Sequence, residues 1–115
     1  MKDLNKVIHH NYWHWGRSYI ISIDNGNGIV NMQVSDDDPK RGCISGLSVI
    51  NNARNKGLGN ILLSECEKLA IKLGLNEIYL SAEKNSFTFE WYKRHGFIKD
   101  KYRNKYLFRL YKKLD

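Results

Sequence analysis

Arg54, Lys56, Gly57 and Gly59 fall in one short stretch, Arg-Asn-Lys-Gly-Leu-Gly, ahead of a long amphipathic run. The first N–H groups of a helix have no intrahelical partner, and the helix dipole adds partial positive charge there. A phosphate fills such a site, provided no side chain holds it away from the backbone. Glycine at 57 and 59 meets that condition, and Arg54 and Lys56 supply charge-assisted contacts. The stretch is not a P-loop, which needs Gly-x-x-x-x-Gly-Lys-Ser/Thr. Nor is it a dinucleotide fingerprint, whose third glycine would fall where the chain has Leu62.

Other chemistry is sparse. His9, His10, His14 and His95 form no metal-binding pattern, and Cys43 and Cys66 are too far apart in sequence for metal-ligand spacing. Both thiols read as reduced and buried. The net charge of +7 suits a polyanionic partner, either a phosphate-rich cofactor or nucleic acid, and equally a solvated surface. No apolar run reaches the ~18 residues of a membrane span. The polar start, Met1 to His10, has no signal-peptide core, so a cytoplasmic protein is expected.

The elements that must carry these residues follow from periodicity. Residues 1–16 are the least patterned, and Trp13-His14-Trp15 reads there as a plug capping the core. Ser18 to Ile23 and Ile29 to Val34 are β-branched runs around an Asp-Asn-Gly-Asn-Gly turn, and Cys43 to Ile50 is a third strand. Leu58, Ile61, Leu62, Cys66, Leu69, Ala70 and Leu73 form a helical stripe closed by Gly74. Glu77 to Ala82 reads as a buried strand and Ser86 to His95 as a second helix closed by Gly96. Phe97 to Lys99 and Tyr106 to Lys112 read as a terminal hairpin. The expected fold is α/β (α+β), one domain over residues 1–115, in the order β-β-β-α-β-α-β-β. The strand–helix–strand crossover places a parallel pair inside a mixed sheet.

Arg54-x-x-Gly57-x-Gly59, just after a strand ending Leu47-Ser48-Val49, resembles the pyrophosphate loop of the GNAT superfamily of acyl-CoA-dependent N-acyltransferases. A second segment, Asn85 to Phe97, is similar to that family's Asn-x-x-Ala-x-x-x-Tyr-x-x-x-Gly-Phe, with Thr88 at the alanine position. The resemblance covers residues 17–115. It implies a sheet splayed open at the third and fourth core strands, with acyl-CoA in the wedge. Leu47, Ser48 and Val49 would pair with the pantetheine arm. Arg54, Asn55, Lys56, Gly57, Leu58, Gly59 and Asn60 would surround the pyrophosphate, and Asn85 would reach the pantetheine from the far side.

The reaction implied is transfer of an acetyl group from acetyl-CoA to a primary amine by direct attack. Tyr92 matches the family's tyrosine and is the expected acid for the leaving thiolate; a tyrosine pKa of about 10 lies above the ~8.5 of a thiol. A strand N–H near Val49 would serve the oxyanion. No acid lies in residues 43–50, where some relatives carry a glutamate. Glu83 is then the nearest carboxylate, either the base or a surface charge. Asp36, Asp37 and Asp38 read as an acidic loop.

Family members usually have a first strand and one or two helices ahead of the hairpin, which wall the acceptor site. Here about 16 residues precede the first clear strand. The acceptor side is therefore expected to be open, or completed by a second subunit or another protein, with Tyr12, Trp13 and Trp15 plugging part of the gap. Two other readings stay open: an acyl-CoA-binding module without turnover, and a basic nucleic-acid binder, although no RNP-type strand or helix-turn-helix is present.

Overall fold

The computed structural model describes residues 4–50 and 57–114, leaving aside the side chains of residues 102 and 103. Seven strands form one sheet in the order β1-β2-β3-β4-β5-β7-β6. They are β1 (Val7–Trp13), β2 (Gly16–Ile23), β3 (Gly28–Ser35), β4 (Arg41–Val49), β5 (Glu77–Glu83), β6 (Ile98–Arg103) and β7 (Leu107–Lys113). Helix α1 (Leu58–Lys72) joins β4 to β5, and α2 (Phe87–Arg94) joins β5 to β6. All strand pairs are antiparallel except β4 with β5.

Both helices bury against one face of the sheet. Tyr19, Ile21 and Ile23, then Val30, Met32 and Val34, alternate inward along β2 and β3 and meet Leu58, Leu62, Leu63, Cys66 and Ala70 of α1. Ile78, Leu80 and Leu110 meet Phe89 and Tyr92 of α2 in the same core. The stripe read from the sequence is the face that α1 buries, with Leu63 added to it. On the other face lie Ile20, Asn31, Gln33, Cys43, Tyr79 and Tyr111, half-buried, with no helix of the described residues over them.

The N-terminal reading needs correction. Residues 7–13 form a strand in full register with β2, from Val7↔Ser22 to Trp13↔Gly16. The chain turns at His14-Trp15 directly into β2, where a relative would insert helices. Gly16 is required there: a Cβ would lie 2.1 Å from the Val34 carbonyl oxygen of β3. The two tryptophans are not a plug. Trp13 is 51% and Trp15 36% exposed, and their rings stack parallel at 6.4 Å. Cys43 is likewise half-buried rather than buried, while Cys66 is buried; both are free thiols.

Candidate active site

The site begins with one extra residue. Strands β4 and β5 pair over only three positions, Arg41↔Glu77, Gly42↔Ile78 and Cys43↔Tyr79. Just beyond, β3 pairs Met32 with Ile44 but Asn31 with Gly46, so Ser45 is a bulge. A bulge bends its strand and resets which side chains face which way. Here Leu47 and Val49 join Ile44 on the helix side, and β4 runs on to Val49 without β5 beside it. Below the fork the joint is firm. Arg41 donates from Nε to Glu77 at 2.6 Å and from Nη1 to Asp38 at 3.1 Å, and its guanidinium lies 4.3 Å from the Tyr79 ring centre.

The fork opens a cleft of about 840 Å³, within the usual size of a ligand site. Its walls are β4 from Ile44 to Val49, the start of α1 from Gly57 to Asn60, Leu80 and Ser81 of β5, and Phe87, Thr88, Trp91 and Tyr92 from α2.

At the start of α1 the first helical bond runs from the Ile61 N–H to the Gly57 carbonyl, 3.1 Å. The N–H groups of Leu58, Gly59 and Asn60 therefore precede the hydrogen-bond ladder. Among the described residues no side chain caps this end. Gly57 holds φ +76°, a left-handed conformation open to glycine, and a Cβ there would meet nothing within 4 Å. At Gly59 a Cβ would meet, among the described residues, the Trp91 ring at 3.4 Å. Asn60 is steered by α2: its Oδ1 lies 2.7 Å from His95 Nε2, and His95 Nδ1 lies 2.7 Å from the Trp91 carbonyl. That carbonyl can only accept, so His95 donates to it from Nδ1. The Trp91 ring packs 4.0 Å from the imidazole.

Tyr92 is a core ring that reaches the cleft. It is 5% exposed, packed edge-on against Trp91 at 4.9 Å and Phe97 at 5.1 Å. Burial pushes its hydroxyl well above the ordinary tyrosine value, and the Cys66 thiol acts in the same direction. The group stays a neutral O–H donor through the physiological range.

A parallel fork with an uncapped, glycine-bearing helix start on one side and a buried tyrosine on the other is the arrangement implied by the sequence resemblance. The sequence model of the acetyltransferase (GNAT) family matches residues 6–97. The chain belongs to the GNAT family. No curated protein sequence matches it. Among solved structures, a Bacillus subtilis acetyltransferase in complex with CoA superposes with a TM-score of 0.72 at 21% identity, covering 90% of this chain and 80% of that one. The PaiA N-acetyltransferase of Thermoplasma acidophilum, in complex with coenzyme A, gives 0.70 at 23% identity, covering 84% and 59%. A GNAT-family protein of Desulfovibrio desulfuricans gives 0.73 at 17%, covering 87% and 70%. The family match begins at residue 6, so the likeness takes in β1, ahead of the residue 17 start expected from the motifs. GNAT membership makes the chain an acyltransferase of the acyl-CoA-dependent kind, with acetyl-CoA as co-substrate.

The expected GNAT residues fall into three groups. Leu47, Ser48, Val49, Gly57, Leu58, Gly59, Asn60 and Tyr92 all line the cleft. Arg54, Asn55 and Lys56 lie outside the described residues. Glu83 and Asn85 do not line it. Glu83 is exposed at the end of β5, two residues past Ser81 on the same face. Asn85 is exposed with φ +58°, a turn conformation asparagine tolerates, and leads into Ser86 at the start of α2. The sequence reading gave no cleft role to Ile44, Ser45, Gly46, Leu80, Ser81, Phe87, Thr88 and Trp91. Only Trp91 carried a usable signal, standing beside Tyr92 on the same short helix.

Among the described residues no helix is long and apolar enough to cross a membrane, and no group of His, Cys, Asp and Glu could hold a metal ion.

Proposed function

We propose that the protein transfers the acetyl group of acetyl-CoA to a primary amine by direct attack, in a reducing cytoplasm where Cys43 and Cys66 stay as thiols. The observation that carries this reading is the juxtaposition at the fork of α1 N–H groups that precede its hydrogen-bond ladder and have no partner among the described residues with the protonated hydroxyl of Tyr92 on α2. The pyrophosphate would rest on the N–H groups of Leu58, Gly59 and Asn60, helped by Arg54, Asn55 and Lys56. The pantetheine arm would take the β5-side edge of Leu47, Ser48 and Val49, with Asn85 reaching it from across the cleft.

The amine nitrogen forms a bond to the thioester carbonyl carbon, and the oxyanion is met by an N–H near Val49. The C–S bond then breaks, and the Tyr92 hydroxyl, which keeps its proton, donates a hydrogen bond to the departing thiolate. The proton shed by the amine passes through water to Glu83, which follows Ser81 along the same strand face by roughly 7 Å.

The amine is approached from the helix-free face, which suits a bulky acceptor such as a peptide or protein amine as well as a small one. Titration calorimetry with acetyl-CoA tests the donor site: micromolar binding by the parent and none by Gly59→Glu supports it. No binding by a folded parent refutes it.

A second reading is favoured by one observation: no carboxylate is among the described residues lining the cleft. The protein would then hold acyl-CoA without turnover. An amine and peptide screen in the presence of acetyl-CoA separates the two, because a Tyr92→Phe variant should lose turnover and keep donor affinity only if the protein is an enzyme.

A further inference from the structure

Every residue of β1 is exposed, and β1 is an edge of the sheet. Exposed edges with free backbone groups invite pairing, and proteins usually blunt them with charge, proline or bulges. The opposite edge follows that practice: β6 carries Lys99, Asp100, Lys101 and Arg103 and breaks register with β7. Strand β1 reads Val-Ile-His-His-Asn-Tyr-Trp, with no lysine, arginine, acid or proline. Its Val7 is 46%, Ile8 43%, Tyr12 75% and Trp13 51% exposed.

The hydrogen-bond pattern fixes which backbone groups face outward. The Trp15 carbonyl accepts from the Asp36 N–H, directed toward β3. Odd residues of β2 therefore turn their backbone groups to β3 and even ones to β1. Through the register Asn11↔Ser18 and His9↔Ile20, the odd residues of β1 bond to β2. Ile8, His10 and Tyr12 are left with N–H and C=O groups aimed at the free edge.

We propose that β1 is the seam of a homodimer, in which two copies pair their β1 strands antiparallel about His10. This register overlaps all seven residues and makes Ile8, His10 and Tyr12 the hydrogen-bonded positions. It sets Ile8 opposite the partner's Tyr12 and Val7 opposite the partner's Trp13. Aliphatic residues at one end of the strand thus meet aromatic ones from the other end, twice over, in the favourable cross-strand combination. His9 faces the partner's Asn11, and His10 faces its own copy. The seam is isologous, as a twofold dimer requires. An uncharged strand is also the part of a +7 chain at which a second copy meets least repulsion. The two sheets join into one, and both clefts stay open, since neither β1 nor the His14-Trp15 turn lines them.

Sedimentation velocity at micromolar concentration tests the seam. The parent should have twice the 13.5 kDa chain mass. Ile8→Lys and Tyr12→Glu, at positions already exposed, should each halve that mass with unchanged circular dichroism. Combined in one chain, they place opposite charges face to face across the seam twice, and the dimer mass should return. A monomeric parent, a dimer indifferent to both single changes, or a combined variant that stays monomeric overturns the proposal. Amide hydrogen exchange on the unaltered protein is the second measurement. Protection of the Ile8, His10 and Tyr12 N–H groups should rise with protein concentration, and protection independent of concentration also overturns it.

Discussion

The two helices begin in opposite ways. At α2 the Ser86 hydroxyl accepts from the Phe89 N–H at 3.0 Å, so the helix caps one of its own first-turn N–H groups. At α1 the cap position is Gly57, in a left-handed conformation, and no side chain of the described residues takes up the N–H groups that follow. Capping is worth about 1 kcal/mol, so α1 forgoes stability that α2 keeps. The difference sorts the work done at the cleft. The α1 helix offers backbone and must stay bare, whereas α2 is closed at its end and offers side chains from its flank, Thr88, Trp91 and Tyr92.

If that division holds, adding a side chain to α1 and deleting one from α2 should each be damaging. The largest effect is expected for Gly59→Glu, which sets a carboxylate where a pyrophosphate would sit. Like-charge juxtaposition costs several kcal/mol, so acetyl-CoA affinity should fall by about 100-fold or more in calorimetry. A Gly59→Glu protein that binds as the parent does would break the comparison at its first term. On the α2 side, Tyr92→Phe should lower kcat on the order of 100-fold with little change in acetyl-CoA affinity. In the parent, the raised Tyr92 value means that kcat should show no alkaline fall from this group up to about pH 10. A fall of affinity rather than kcat would make Tyr92 a binding group.

Stability at high pH probes the ground between the helices, where Cys66 and Tyr92 are buried together. Burial pushes the Cys66 thiol from 9.0 up to about 12. The unfolded chain releases that proton first, so it binds fewer protons than the native state. The thiol's contribution is intact below pH 9 and is lost as pH rises toward about 12. Denaturant midpoints should decline across that window, and Cys66→Ala should flatten the decline. The smallest effect is Ser86→Ala, expected to cost about 1 kcal/mol of stability in urea unfolding with acetyl-CoA affinity unchanged. A loss of affinity there would show that the start of α2 also serves the ligand.

The sequence made α1 plain, because Leu58, Leu62, Cys66 and Ala70 repeat at helical spacing and glycines mark both ends. The glycines at 57 and 59 are a weaker sign by themselves, since glycine near a helix start is common; only together with the Asn85 to Phe97 segment do they point to a phosphate-binding wall. What it hid has physical reasons. Strand β1 shows no inside–outside alternation because neither of its faces is covered, so a polar-aromatic mixture reads as no element at all. The bulge at Ser45 is a matter of one residue in pairing and leaves no mark in composition. Trp91 looks like core because apolar rings read alike whether they meet leucine or a cleft. Glu83 was named for its chemistry, and only the structure shows it set back along β5 from the cleft wall.

The short contact between β4 and β5 also has a mechanical meaning. Three residue pairs, extended by the Asn76 N–H donating to the Lys40 carbonyl at 2.7 Å, form the described backbone joint between the half-sheet of β1 to β4 and that of β5 to β7. From Cys43 to Val49 the part of β4 beyond this joint, still paired with β3, is about 20 Å long. A swing of about 5° at the joint moves its tip by nearly 2 Å on that length. Misplacement by about 1 Å can cost 100-fold in rate. Arg41, paired with Glu77 and Asp38 on the far side of the fork, ties β4 to β5 at the base of the cleft in which a donor and an amine would have to meet.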